Sequence, residues 1–222
     1  MKFAVEYARR RLEARNVTAE SASASLSILK EVAKFLSPSN TTKMVELTVP
    51  LAQAGSLDLT LSAMSMWNAI VQAMSVPPPA DAAPADAREK LSPRKLEHLL
   101  AITVDLQPNA ADERATKLFI KTVSGTVRAL ARIAPDRAEA VMSGALRSFF
   151  DYLLNPVPVV VKCAAENLVR IIPFVSVTEE TLSADESAAI TLVECCVAAC
   201  GYKYKDVWPQ AFSAIRAAIK VS

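Results

Sequence analysis

The stretch Asn155–Ile172, NPVPVVVKCAAENLVRII, decides how the rest of the chain is read. Its prolines stand at the entry, where a helix tolerates a residue without an N–H, and none interrupts the run from Val159 to Ile172. The Val161-Lys162 pair, the small Ala164/Ala165 step and the Leu168/Ile172 anchors suit a helix lodged between neighbours. Such a helix cannot bury its apolar surface alone. It predicts a stack of similar helix pairs, with function carried by an extended surface.

Composition agrees with helices. Apolar residues make up 52% of the 222 positions, aromatics only 6%, and there are four glycines, whereas a strand-rich chain of this size needs more turn residues. Reading outward for a 3.6-residue period gives about ten helices. An opening segment near Lys2–Arg15 precedes one carrying Ala22, Leu26, Leu29, Ala33 and Leu36, which Ser37-Pro38 stops. The next pair covers about Thr42–Ala54 and Asp58–Met74. Its second member is apolar nearly all round through Leu59, Leu61, Met64, Trp67, Ile70 and Val71, and should be the inner helix.

Residues 75–91, SVPPPADAAPADAREKL, break the rhythm with a composition that cannot build a core, and read as a flexible Pro/Ala-rich insertion. Ser92-Pro93 then offers an N-cap and a first-turn proline for a helix through Leu96, Leu99, Leu100 and Val104. Asp112 caps a long helix to about Ile133, Pro135 opens another to Leu154, and the Asn155–Ile172 helix runs until Pro173. After a loop near Ser176–Ser183, one helix carries Ile190, Val193, Val197 and Cys200, and a last one carries Trp208, Phe212, Ile215 and Ile219. Helix pairs therefore recur from Lys43, Leu91, Pro135 and Ser183. Asp58–Ile70 and Pro158–Ile171 both place a short apolar entry before an Ala and a large apolar residue four positions later. The fold class expected is all-α, a HEAT/armadillo-like α-solenoid of about four to five helix pairs, with residues 1–222 forming a single segment. The apolar residues that continue to the C-terminus suggest that further repeats of a longer chain adjoin it.

Charge and chemistry narrow the function. A net charge of +2 is too small to mark the whole chain as a nucleic-acid binder, so any such role rests on local patches. In the long helix, Arg114, Lys117, Lys121, Arg128 and Arg132 fall within about one-sixth of the circumference, opposite Phe119, Val123, Val127 and Leu130. This ridge, which Gly125 should leave sterically open, is the candidate contact for RNA or an acidic partner; a solvated helix face is its plainer reading. Arg9, Arg10, Arg11 and Arg15 form a second cluster that could be a nucleic-acid or localisation patch, or simply solubilise a terminal helix. Tyr202-Lys203-Tyr204-Lys205 interleaves rings and charges as single-strand binders do, although packing near Trp208 explains it as well.

Catalysis has little foothold. Cys163, Cys195, Cys196 and Cys200 lie in apolar helical surroundings, without the spacing of a disulfide framework or a paired CxxC site, which points to a reducing compartment and no metal. The one histidine, His98, reads as a partly exposed helical residue, and neither GxSxG nor a clustered glycine loop is present. No secretory signal pattern and no apolar run of about 20 residues appears, so no membrane association is expected. The chain reads as a non-enzyme without cofactor or small-molecule substrate.

Across the C-terminal half, LQPNAADERATKLFIKTVSGTVRALARI, then ALRSFFDYLLNPVPVVVKCAAENLVRIIP, then ACGYKYKDVWPQAFSAI follow one another. In order and spacing they resemble the N-terminal HEAT region of the ribosomal RNA-processing protein 12 family. Three markers carry the likeness: the Pro108–Asp112 turn before a long helix, the Phe149–Pro156 helix end feeding Val161–Ile172, and Tyr202-Lys203-Tyr204 leading to Trp208-Pro209. The likeness covers about Leu96–Ile219 and extends to the first 75 residues only in helix-pair character. This chain is shorter than a typical member, and its insertion at 75–91 departs from the pattern. The resemblance implies a non-enzymatic, karyopherin-like α-solenoid of the nucleolus and nucleus, shuttling to the cytoplasm. It further implies partners among pre-ribosomal proteins and pre-rRNA of the small-subunit precursor, with roles in pre-rRNA processing and subunit export. It carries no motif that assigns residue roles. An importin-like or other α-solenoid transport or signalling adaptor is the alternative.

Overall fold

The computed structural model describes residues 2–14, 18–54, 56–75, 91–109, 111–176 and 187–201, together with 208, 209, 212, 213 and 216. The insertion expected at 75–91, apart from Ser75 and Leu91, lies outside them, as do most of the 176–183 loop, Tyr202–Lys205, Ile215 and Ile219. Regular structure among the described residues is helical throughout. The chain divides into two compact units, Met1–Leu106 and Gln107–Ser222.

In the first unit, α1 (Lys2–Glu13) packs on α2 (Ala19–Val32), and α3 (Pro38–Gln53) packs on α4 (Leu57–Ser75). Second members stack on each other, α2 on α4, while α1 touches α3 and α3 touches α5 (Pro93–Asp105). This alternation is what helix-pair repeats require, because each pair shares its apolar flank with the next. Local chemistry sets the boundaries. The Thr18 hydroxyl accepts from Ser21 N at 3.2 Å, and Ser37 accepts from Asn40 N with Pro38 in the first turn. The second helix ends at Val32, earlier than its apolar pattern suggests, and Ala33–Phe35 continue as a 3-10 turn that still buries Ala33.

The apolar α4 is the inner helix, as its composition predicts: Met64, Met66, Trp67, Ile70 and Val71 are fully buried. It is tied to α3 by Thr60 Oγ1, which donates to Ala52 O at 2.7 Å, and to α2 by the Ser23 and Ser62 hydroxyls at 2.9 Å. Pro50 lies inside α3 on its exposed side, where the Glu46 carbonyl that loses its helical donor is open to water. An ion pair between Lys95 and Glu46 joins α5 to α3.

The second unit holds α6 (Glu113–Ile133), α7 (Pro135–Leu153), α8 (Pro158–Ile171) and α9 (Ala188–Cys200). Neighbours in sequence pack together, α6 on α7 and α7 on α8, and alternate helices stack, α6 on α8 and α7 on α9. Asp112 caps α6 by accepting from Ala115 N at 2.9 Å. The Asn155–Val157 segment, expected as helix, is a turn. Asn155 is buried, its Oδ1 accepts from Val157 N at 2.8 Å, and Pro158 takes the first helical position. The Ala164/Ala165 step behaves as read, both residues fully buried where α8 meets its neighbours.

Helix α9 turns a different face inward from the Ile190/Val193/Val197/Cys200 set. Ala189, Leu192, Cys195, Cys196 and Ala199 are buried, while Val193 and Val197 are exposed. A helix apolar on all sides carries no moment from which its buried face can be read; the contact with α7 decides it.

Candidate partner-binding face

The five basic residues of α6 keep to one side of the helix, but they do not form one ridge. Residues Thr122–Val127, including Gly125, are all buried, so the central turns of α6 are enclosed on every side. Gly125 therefore does not hold the ridge open. Together with Ser124 and Thr126 it is buried on the azimuth that the basic residues occupy elsewhere. The face is divided into Arg114, Lys117 and Lys121 toward the N-terminus, and Arg128 and Arg132 toward the C-terminus.

The two halves differ electrostatically. Arg114 and Lys121 are exposed, and Lys117 Nζ pairs with Glu113 Oε1 at 2.7 Å, so the first half carries its own counter-charge. In the second half Arg132 is exposed and Arg128 is half-buried. Among the described residues no carboxylate comes within ion-pair distance of Arg128. Burial, then the like charges of Arg170 and Arg132, hold its guanidinium below the usual arginine range.

Arg170 is the residue that sequence reasoning passed over. It lies in the last turn of α8, exposed, in the electrostatic neighbourhood of both Arg128 and Cys163. Helices α6 and α8 pack together, with Cys163 Sγ 4.0 Å from Lys117 O, and Asn167 Nδ2 donating to Cys163 O at 2.8 Å one turn further on. The available signal was the Lys162/Glu166/Arg170 stripe on α8, meaningful only once alternate helices are known to stack.

The other candidates are locally satisfied. Arg9 and Arg10 both reach Glu6, at 2.9 and 3.0 Å, and Arg11 lies over the Tyr7 ring at 5.9 Å. Those two hydrogen bonds hold the Glu6 carboxyl below its ordinary value. Arg15 and the Tyr202–Lys205 run lie outside the described residues; Trp208 is exposed. His98 is exposed on α5.

Cys163, Cys195 and Cys196 are buried packing groups, and Cys200 is half-buried. Burial pushes Cys195 up to about 12 and Cys196 up to about 11, and raises Cys163, so little thiolate is available to attack or to bind metal near neutral pH. Among the described residues no group of acidic, histidine or cysteine side chains is placed to hold a metal ion, and no helix is long and apolar enough to cross a membrane.

Solved structures match nearly the whole chain, and two of them are informative. One is a designed armadillo repeat protein in complex with the peptide (KR)4, at a TM-score of 0.50 and 13% identity, covering 96% of this chain and 99% of that one. Another, described as an engineered protein from the Northeast Structural Genomics Consortium, gives 0.52 at 14% identity, covering 98% and 97%. The fold is a HEAT/armadillo-like α-solenoid. At these identities the likeness shows the fold alone. No family model and no curated protein matches the chain.

Proposed function

We propose that this chain is a non-catalytic helical-repeat scaffold that binds proteins, and that it serves ribosome biogenesis. The carrying observation is the stacking of alternate helices in each unit, which spends the apolar surface on the stack and leaves polar faces for docking. The designed armadillo protein, which holds a peptide, supports a protein-binding use of this fold. The ordered run of markers from Pro108 to Pro209 supports the ribosomal reading. On that reading the chain works in the nucleolus and nucleus, with the small-subunit precursor and its pre-rRNA as its setting. The buried thiols of Cys163, Cys195 and Cys196 and the lone, exposed histidine support a role without chemistry of its own.

The test is co-sedimentation from cell extract, with and without RNase. Migration with small-subunit precursor particles, lost on RNase treatment, is the expected result. Migration that ignores RNase but responds to the nucleotide state of a small GTPase would replace this reading with the transport-adaptor alternative.

A further inference from the structure

The first helix offers what the α6 face lacks, rings open to solvent beside a cation. We propose that Phe3, Tyr7 and Arg11 of α1 form a stacking site for the bases of single-stranded RNA. The proposal rests on the ribosomal reading above and names where RNA is held.

Helix α1 packs on α2 and buries Val5, Ala8 and Leu12, so its aliphatic residues are spent on the fold. Phe3 and Tyr7 stand on the opposite side, 84% and 46% exposed. Their rings are nearly parallel, 22° apart, with centroids separated by 6.5 Å. That spacing is at the long end for ring pairs and close to two stacking steps of about 3.4 Å each. A flat base entering between the rings meets a π-face on both sides. Arg11 continues the ladder one turn on, its guanidinium 5.9 Å from the Tyr7 centroid. Arg9 and Arg10 are committed to Glu6, and Arg9 also reaches Glu13, whereas Arg11 has no carboxylate within ion-pair distance among the described residues. Its plane can stack while its charge faces a phosphate. Four basic residues against two glutamates make the whole helix attractive to a polyanion.

The same surface is too narrow for other occupants. A helix lying in a lipid surface buries its apolar face in the bilayer, and α1 has given that face to α2. A stable protein interface needs an apolar centre with charges confined to its rim, but here Arg10 and Arg11 follow Tyr7 by a single turn. Base stacking needs only rings and a nearby cation, and accepts any sequence because every base has a π-face.

The probes are a short oligouridylate and an RNA duplex of equal charge, titrated against the full chain by fluorescence anisotropy at fixed salt. The variants are F3A/Y7A, F3L/Y7L, which keeps apolar bulk without a π-face, and F3W/Y7W, which keeps the π-face. F212A, at an exposed ring of the second unit, is the control. All these positions are exposed, and thermal melts establish that each variant is folded. The alanine and leucine pairs should each weaken oligouridylate binding about ten-fold or more, the tryptophan pair should retain it, and the control should change it by less than about two-fold. The duplex, whose bases are already stacked, should bind more weakly than the single strand. No oligouridylate binding by the wild-type chain, unchanged affinity in F3A/Y7A, full affinity in F3L/Y7L, an equal loss in F212A, or a duplex bound as tightly as the single strand would each overturn the site. Co-sedimentation separates it from the ribosomal reading. If the chain travels with precursor particles but its RNA affinity ignores the rings, the site falls alone; if the rings bind RNA but no precursor is found, the ribosomal reading falls and the site stands.

Discussion

Trp67 Nε1 donates a hydrogen bond to Thr48 Oγ1 at 2.8 Å, and both residues are fully buried between α4 and α3. Thr48 in turn donates to Met44 O at 2.9 Å, so the indole, the hydroxyl and the α3 backbone form one chain of satisfied groups. The bond lets a tryptophan occupy the inner helix with no stranded N–H. Replacing Thr48 with valine keeps the shape and removes the acceptor. Urea denaturation should show a loss of about 1–3 kcal/mol, with serine at the same position retaining most of the stability.

Helix starts differ in what their capping residues do, although they look alike in sequence. Asp112 accepts from Ala115 N, whereas the Ser92 side chain makes no capping bond at α5. Asp112→Ala should cost about 1 kcal/mol. Ser92→Ala should stay within about 0.5 kcal/mol in the same denaturation experiment.

These cases mark what a sequence can express. Helix existence followed from local chemistry: Ser37-Pro38, Asp112 and Pro135 each punctuate the chain through contacts within one turn. The inner position of α4 was equally legible, since apolar residues surround it. What a neighbour decides was not legible. Gly125 falls on the basic azimuth of α6, yet it is buried with the rest of Thr122–Val127, which no one-helix projection represents. Arg170 joins Arg128 only through the α6/α8 stack, and the buried face of α9 is chosen by α7. The site was therefore half visible, as charges on one helix, without the second helix that completes it.

Two buried acids give the second unit an alkaline weakness. Burial raises Cys195 from 9.0 to about 12, and Tyr152, whose ring meets Phe119 at 5.4 Å, from 10.0 to about 12. Gln107 is the nearest hydrogen-bonding influence on Tyr152, but the pair misses hydrogen-bond geometry and the hydroxyl is left without a partner. The folded chain keeps protons that the unfolded chain releases, so this stability is whole below the ordinary values and is lost as pH rises from about 9 toward about 12. Urea midpoints should fall across that window. Tyr152→Phe should leave neutral-pH stability unchanged or raised, since it removes an unpartnered hydroxyl, and should flatten the alkaline slope.

The middle of α8 is closed to larger side chains. Ala164 is fully buried in α8, within one turn of Cys163, whose thiol approaches Lys117 O. A leucine at 164 has no room, because protein interiors leave few voids as large as the added methylenes. Overpacking should cost about 1–3 kcal/mol in denaturation.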